Sequence, residues 1–486
     1  MADLLKILFL GAEAAPFAKT GGLGDVVGAL PKALHAMGHD VRIVIPAYQA
    51  IEASFHGDNK WNLQALPWDW RVPTGGGLLP AGLLEGRVPG SEVPIYFVAE
   101  QNLFGRPEIY GYADDAYRFS FFCRGALDLI PALGWKPDVI HAHDWHAAPA
   151  LMWLATTGQW DDRYRGIASL FTIHNIAHQG TVSRAILNYL SVSVPPILEE
   201  GPGAVNFMAR GIHHATLINT VSPTYAREIM APDGGAGLDG LLRYRHYDVH
   251  GILNGLDYQT WNPTADKHLA QTFDADHLDD RLTNKRALQE RAGLTVRDDV
   301  PLVAMVSRLD WQKGLDIMGH VLHLLMNNYA GEAQFVVLGT GAKEHEDMFA
   351  HLAGYHKDKM AAFLTFAADL APLIYGGADI FLMPSRFEPC GLGQLIAMHY
   401  GCVPVVRATG GLADTVREGL TGFVFHEYSV EAFWRALEQT IYIYKVDKES
   451  WRALQQNGMK TDFSWESSAY GYQQLYEWAM ARARGG

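Results

Sequence analysis

The sequence predicts an α/β protein built from two doubly wound, Rossmann-like domains facing across a deep cleft. Three observations predict it. Short β-branched runs alternate with helical stretches in two separate series, the rhythm breaks once near the middle of the chain, and one glycine-rich hexapeptide occurs in each half. That hexapeptide is Thr20-Gly21-Gly22-Leu23-Gly24-Asp25 in the first half and Thr409-Gly410-Gly411-Leu412-Ala413-Asp414 in the second.

In the first series, strands are expected at Ile7–Leu10, Val41–Ile45, Ile95–Val98, Val139–His141, Leu170–Ile173 and Leu217–Val221. Alternation with helices implies a parallel sheet covered on both faces, and Thr74-Gly75-Gly76-Gly77 reads as an excursion rather than core. The rhythm fails from Asn254-Gly255-Leu256-Asp257 to Trp261-Asn262-Pro263, before a charged helical stretch at 281–291, so the first domain is assigned to residues 1–255. A second series, Leu302–Val306, Phe335–Leu338, Phe363–Phe366, Ile380–Met383 and Val403–Val406, makes residues 256–463 another doubly wound sheet. The tail carries Trp465, Tyr472, Leu475, Tyr476 and Trp478 at mostly helical spacing. It is read as a final helix, 464–486, docking on the first domain, because aromatics at that spacing usually pack.

At 486 residues the chain exceeds one small core, and 49% hydrophobic against 19% charged residues is the balance of a packed soluble protein. The 39 basic and 53 acidic side chains leave a net charge of −14, which repels phosphate at long range and argues against nucleic acid or an anionic membrane as partner. Phosphate recognition must then be local. Cys123, Cys390 and Cys402 have neither disulfide-framework nor metal-ligand spacing. The N-terminus lacks a secretory pattern and the longest apolar runs are strand-sized, so a cytoplasmic protein without a membrane span is expected.

In open α/β sheets ligands sit beyond the carboxyl ends of the strands, and the motifs fall there. Gly21 and Gly22 allow backbone N–H groups to approach an anion, and Lys19 adds a cation beside them. The plain alternative is a strand-to-helix turn. A dinucleotide fingerprint is excluded because Val27 stands where its third glycine belongs, and no Gly-Lys-Ser/Thr exists for a P-loop. Arg308 and Lys313, in Ser307-Arg308-Leu309-Asp310-Trp311-Gln312-Lys313-Gly314, suit a diphosphate, unless Arg308 merely pairs with Asp310. In Pro384-Ser385-Arg386-Phe387-Glu388-Pro389-Cys390-Gly391-Leu392, Glu388 can accept hydrogen bonds from sugar hydroxyls or simply cap the next helix. Cys390, with no His nearby in sequence, reads as buried.

The segment His141-Ala142-His143-Asp144-Trp145-His146 resembles a metal cluster, but only His141 and His143 have ligand spacing, so no metal is assigned. Trp145 flanked by Asp144 and His146 suits a pyranose, stacking on its apolar side. His174, in Thr172-Ile173-His174-Asn175, polarises a ligand or holds its loop; its context does not separate the two.

Taken together in chain order, Lys19-Thr20-Gly21-Gly22-Leu23-Gly24-Asp25 and the motifs beginning at His141, Ser307 and Pro384 span nearly the whole chain and resemble bacterial glycogen synthase and plant starch synthase. The resemblance implies a GT-B fold, no cofactor, and transfer of glucose from ADP-glucose to the nonreducing 4-hydroxyl of an α-1,4-glucan such as glycogen, with retention. It implies that Lys19, Arg308 and Lys313 neutralise the departing diphosphate, and that Glu388 holds the glucose hydroxyls. Gly21, Gly22, Asn254, Phe366 and the amides of Cys390, Gly391 and Leu392 would surround the donor. His174 would lie under the anomeric centre, with Asp25, Asp144 and Trp145 lining the sugar and acceptor site. Related retaining transferases often carry a second Glu eight positions after the first, where this chain has Ile396. Phe366 stands near where bacterial relatives present a Tyr to the adenine. Two other readings remain: a retaining transferase of the same fold using a UDP-sugar, and a catalytically silent glucan-binding scaffold. The second Thr-Gly-Gly-Leu copy is expected to support the Glu388 loop.

Overall fold

The computed structural model describes residues 4–328 and 333–485. The chain divides into two compact units, one running to Gly255 and resuming at Trp465, the other Leu256–Ser464.

The first unit is organised on a ten-stranded sheet. Seven strands run parallel in the order Val249–Gly251, Leu217–Thr220, Ala168–Ile173, Val139–His143, Lys6–Leu10, Asp40–Pro46 and Pro94–Ala99. The central strands Val139–His143 and Ala168–Ile173 are buried along their whole length, their few polar side chains included, as a sheet covered on both faces requires. The sheet is not wholly parallel, however. Gly77–Arg87 pairs antiparallel with Pro94–Ala99 and, on its other side, with Gln64–Ala65, while Trp70–Thr74 returns against it as a hairpin. The exposed Gly75-Gly76 segment is the turn of this hairpin, outside the core as expected, but the strands it joins extend the sheet. The hairpin escaped sequence reading because Pro80, Gly82 and Gly86 dilute its β signal.

The C-terminal helix Trp465–Ala483 packs against helix Gly22–Ala36 and strand Ala168–Ile173. Trp465, Ala469, Tyr472, Tyr476 and Ala479 follow a 4-3-4-3 spacing and are all buried, whereas Trp478 lies off this stripe and is half exposed.

The second unit holds a six-stranded parallel sheet in the order Met360–Phe363, Gln334–Leu338, Leu302–Val306, Ile380–Met383, Val403–Arg407 and Phe423–Phe425. Alternation sorts its side chains into two cores. Val303, Met305, Phe335, Val337, Ile380 and Leu382 fill one face, and Leu302, Ala304, Val336, Leu338, Phe381 and Met383 the other. The strand expected at Phe363–Phe366 lies three residues earlier, so Phe366 stands in the loop beyond it, 89% exposed. No helix among the described residues is long and apolar enough to cross a membrane.

Candidate functional site

In the first unit, three adjacent parallel strands end in the sequence-selected residues. Lys19, Gly21, Gly22 and Asp25 follow Lys6–Leu10, Asp144 and Trp145 follow Val139–His143, and His174 follows Ala168–Ile173. The first loop is held from beneath by Glu13, which the motif search missed. Its buried carboxylate accepts from the Thr20 amide at 2.6 Å, the Gly21 amide at 3.1 Å, the Thr20 hydroxyl at 2.9 Å and the Tyr110 hydroxyl at 2.6 Å. The Gly21 amide, expected to approach an anion, is thus already satisfied by a protein carboxylate. The available signal was a lone acid among apolar residues just past a strand.

The glycines of this loop divide by role. A Cβ at Gly28 would lie 2.5 Å from the Ala15 carbonyl, and one at Gly24 would lie 3.0 Å from the Glu13 carboxylate. These two let the loop close onto the helix. At Gly21 and Gly22 a Cβ meets nothing within 4 Å, and neither has a positive φ, so nothing in the protein itself demands glycine there. Such bare backbone permits close approach by another molecule. Lys19 is half exposed and its Nζ lies 2.6 Å from Asp25.

Asp144 takes a left-handed backbone, φ 55°, at the junction between its strand and the helix Asp144–Thr156. A non-glycine residue held in this conformation marks a place where the surroundings over-determine the chain. Its carboxylate accepts the His174 amide at 2.8 Å, tying two strand ends together, while burial pushes its pKa up to about 7. Burial brings the His174 imidazole down to about 3, so the ring is neutral. Trp145 is engaged by protein: Phe119 meets it edge-on at 5.5 Å, His146 lies 4.0 Å away, and a Cβ on Gly180 would collide with its ring at 2.2 Å. The indole is a packed wall element. Asn254, beyond the edge strand Val249–Gly251, is buried and its Oδ1 has no partner among the described residues.

His141 and His143 do not form a metal pair. His141 bonds the hydroxyls of Tyr476 and Thr172, and His143 Nδ1 lies 3.0 Å from His174 Nε2. Among the described residues no group of three or more His, Cys, Asp or Glu is placed to hold a metal ion.

In the second unit the neighbouring strands Leu302–Val306 and Ile380–Met383 carry the two remaining motifs at their carboxyl ends. The loops are zipped together. Arg386 donates its amide to the Gln312 carbonyl at 2.8 Å, Gln312 Nε2 donates to the Phe387 carbonyl at 3.2 Å, and Gly314, at φ 71°, leaves a Cβ only 2.0 Å from the Pro384 carbonyl. This contact brings Lys313 Nζ to 2.7 Å from Glu388 Oε2, and Ser385 Oγ donates to the same oxygen at 3.0 Å. Both ends of the pair are largely buried, 14% and 7% exposed. Glu388 is therefore an ion-paired side chain, not a helix cap; Leu392 occupies the cap of Gly393–His399. Arg308 is exposed and does approach Asp310, at 3.4 Å, the geometry of the alternative reading.

Cys390 is buried at the Gly391 turn, where φ is 75°. The wholly buried Gln394 holds the turn, donating to the Cys390 and Gly391 carbonyls at 3.0 Å. Behind it stands the second hexapeptide. A Cβ at Gly410 would sit 1.9 Å from the Glu388 carbonyl, and one at Gly411 2.2 Å from the Cys390 carbonyl, while the Gly411 amide donates to Glu388 O at 3.1 Å. These glycines are required by the protein's own packing, unlike Gly21 and Gly22.

A family model described as the starch synthase catalytic domain matches residues 6–244, and one described as glycosyl transferases group 1 matches residues 288–460. The chain is 44% identical over 491 residues to the glycogen synthase of Moorella thermoacetica, covering 99% of this chain and 98% of that relative. It is 42% identical to the glycogen synthase of Desulforudis audaxviator over 98% of this chain and 97% of the relative. Among solved structures, the catalytic domain of starch synthase IV from Arabidopsis thaliana, bound to ADP and acarbose, superposes with a TM-score of 0.89 at 34% identity, covering 99% of this chain and all of that one. Sucrose-phosphate synthase from Thermosynechococcus elongatus, at 17% identity and a TM-score of 0.61, shares the fold.

Proposed function

This chain belongs to the glycogen and starch synthase family, and from that premise we propose that it transfers glucose from ADP-glucose to the nonreducing 4-hydroxyl of an α-1,4-glucan such as glycogen, retaining the anomeric configuration. The observation that carries the site assignment is the buried Lys313–Glu388 pair, 2.7 Å apart and braced by Ser385 at the ends of adjacent strands. Separating a sugar cation from a diphosphate anion requires charge that is already in place, and a buried cation fixed by its partner supplies it without reorganisation. Lys313 would neutralise the leaving phosphate while the free side of the Glu388 carboxylate accepts sugar hydroxyls.

Two exposed cations, one in each unit, would add to the neutralisation of the diphosphate. Lys19 and Arg308 are paired with Asp25 and Asp310, and exposed pairs of this kind contribute at most about 1 kcal/mol, so re-pairing with a diphosphate costs little. Bare backbone at Gly21 and Gly22 suits the same group. Gly391, Leu392 and Cys390 would offer amides to the donor, with Asn254 and exposed Phe366 as further donor contacts. His174, Asp144, Trp145 and Asp25 would line the sugar and acceptor side. Front-face attack, in which the departing phosphate takes the acceptor proton, accounts for retention without a protein nucleophile.

The purified protein, incubated with a short maltooligosaccharide and either ADP-glucose or UDP-glucose, is expected to lengthen the chain from ADP-glucose, with the new linkage α by proton NMR. A β linkage would overturn the retaining reading, and equal or faster extension from UDP-glucose would overturn the donor assignment.

A further inference from the structure

His143 touches the proposed sugar-site residue His174 and lies in no motif role so far described. The Thr172 hydroxyl donates to Asn219 Oδ1 at 2.5 Å, so at its 2.6 Å contact with His141 Nε2 it must be the acceptor. His141 therefore carries its proton on Nε2, and Nδ1 accepts from the Tyr476 hydroxyl at 2.8 Å. With both nitrogens engaged, the His141 ring is fixed, and it lies against the His143 ring at 4.1 Å, with Phe9 stacked on His143 at 5.5 Å. His143 is thus held in one orientation.

One proton joins His143 Nδ1 to His174 Nε2 across 3.0 Å, and its ownership follows from the other nitrogens. His143 Nε2 is buried without a partner among the described residues. Were His174 the donor, His143 would carry its proton on that nitrogen, leaving a buried N–H with no acceptor; the reverse arrangement leaves only an unpaired acceptor, which is the more tolerated defect. His143 is then the donor, and the remaining proton of neutral His174 is on Nδ1, which makes no hydrogen bond among the described residues.

We propose that His143 is a positioning residue that fixes His174 as its Nδ1–H tautomer, so that the imidazole presents a hydrogen-bond donor to a sugar oxygen. The proposal rests on the placement of His174 in the sugar site. It makes the strand Val139–His143, through His141 and the C-terminal Tyr476, the support of that donor.

The full-length protein labelled with 15N-histidine reports the tautomer through long-range proton–nitrogen correlations, the His174 signals being those lost in His174→Gln. The expected pattern is Nδ1–H in the native protein and in His143→Asn, whose amide can replace the Nδ1–H donor, and its loss in His143→Leu. In turnover, His143→Leu should lower kcat by about 100-fold, the scale of one preorganised donor, with KM for ADP-glucose little changed, while His143→Asn stays near native. An Nε2–H pattern in the native protein overturns the proposal, as does equal damage, or none, in both variants. Normal turnover by His174→Gln would instead refute the sugar-site reading and leave the tautomer result standing.

Discussion

At the scale of single residues, the two copies of one hexapeptide make opposite predictions. A methyl group on Gly22 meets no atom of the protein, so Gly22→Ala should leave the melting temperature unchanged yet lower kcat/KM for ADP-glucose on the order of 100-fold by displacing the donor. Gly410→Ala drives a Cβ to 1.9 Å from the Glu388 carbonyl at a positive φ and should cost about 3 kcal/mol in denaturant unfolding. If both variants lose stability equally, the distinction between a ligand loop and a support loop is wrong. The candidates Lys19, Arg308, Lys313 and Glu388 were legible in the sequence because they stand in glycine-containing loops that follow predicted strands, where open α/β sheets bind ligands. Glu13, Ser385 and Gln394 were not, because what they do depends on contacts between loops, which periodicity and spacing do not encode.

At the scale of elements, the C-terminal helix Trp465–Ala483 and the strand it covers form a unit whose stability depends on pH. Burial lowers the pKa values of His141, His143 and His174, the last to about 3 from an ordinary 6.5. Stability from neutral buried imidazoles is complete above 6.5 and is lost as the pH falls toward the folded values, because the unfolded chain takes up protons the folded one refuses. Asp144, raised to about 7, acts in the opposite sense between 3.8 and 7, but it is one group against three. The melting temperature should therefore fall between pH 7 and pH 5; a flat or rising profile would mean that the imidazoles are not buried neutral. Tyr476→Phe removes the donor to His141 and should destabilise by about 1 to 3 kcal/mol in urea titration. The helix was visible beforehand in its aromatic spacing. The hairpin Trp70–Arg87 was not, since its glycines and proline mask strands whose stability comes from pairing rather than propensity.

At the scale of the whole molecule, the double series of strands and the mid-chain break gave the two parallel sheets, while the antiparallel extension of the first sheet and the earlier register of Met360–Phe363 came only from tertiary pairing. The net charge of −14 requires that phosphate be recognised by local cations, and each candidate cation is found already paired with an acid of its own unit. The buried Lys313–Glu388 pair stands apart from the exposed ones. The most direct test is glycogen-dependent release of ADP from ADP-glucose by the purified chain and by Glu388→Ala, with circular dichroism confirming that both are folded. Release by the native protein and a loss on the order of 100- to 1,000-fold in the variant are expected. Near-native release by a folded Glu388→Ala protein would show that the buried pair does not act on the donor.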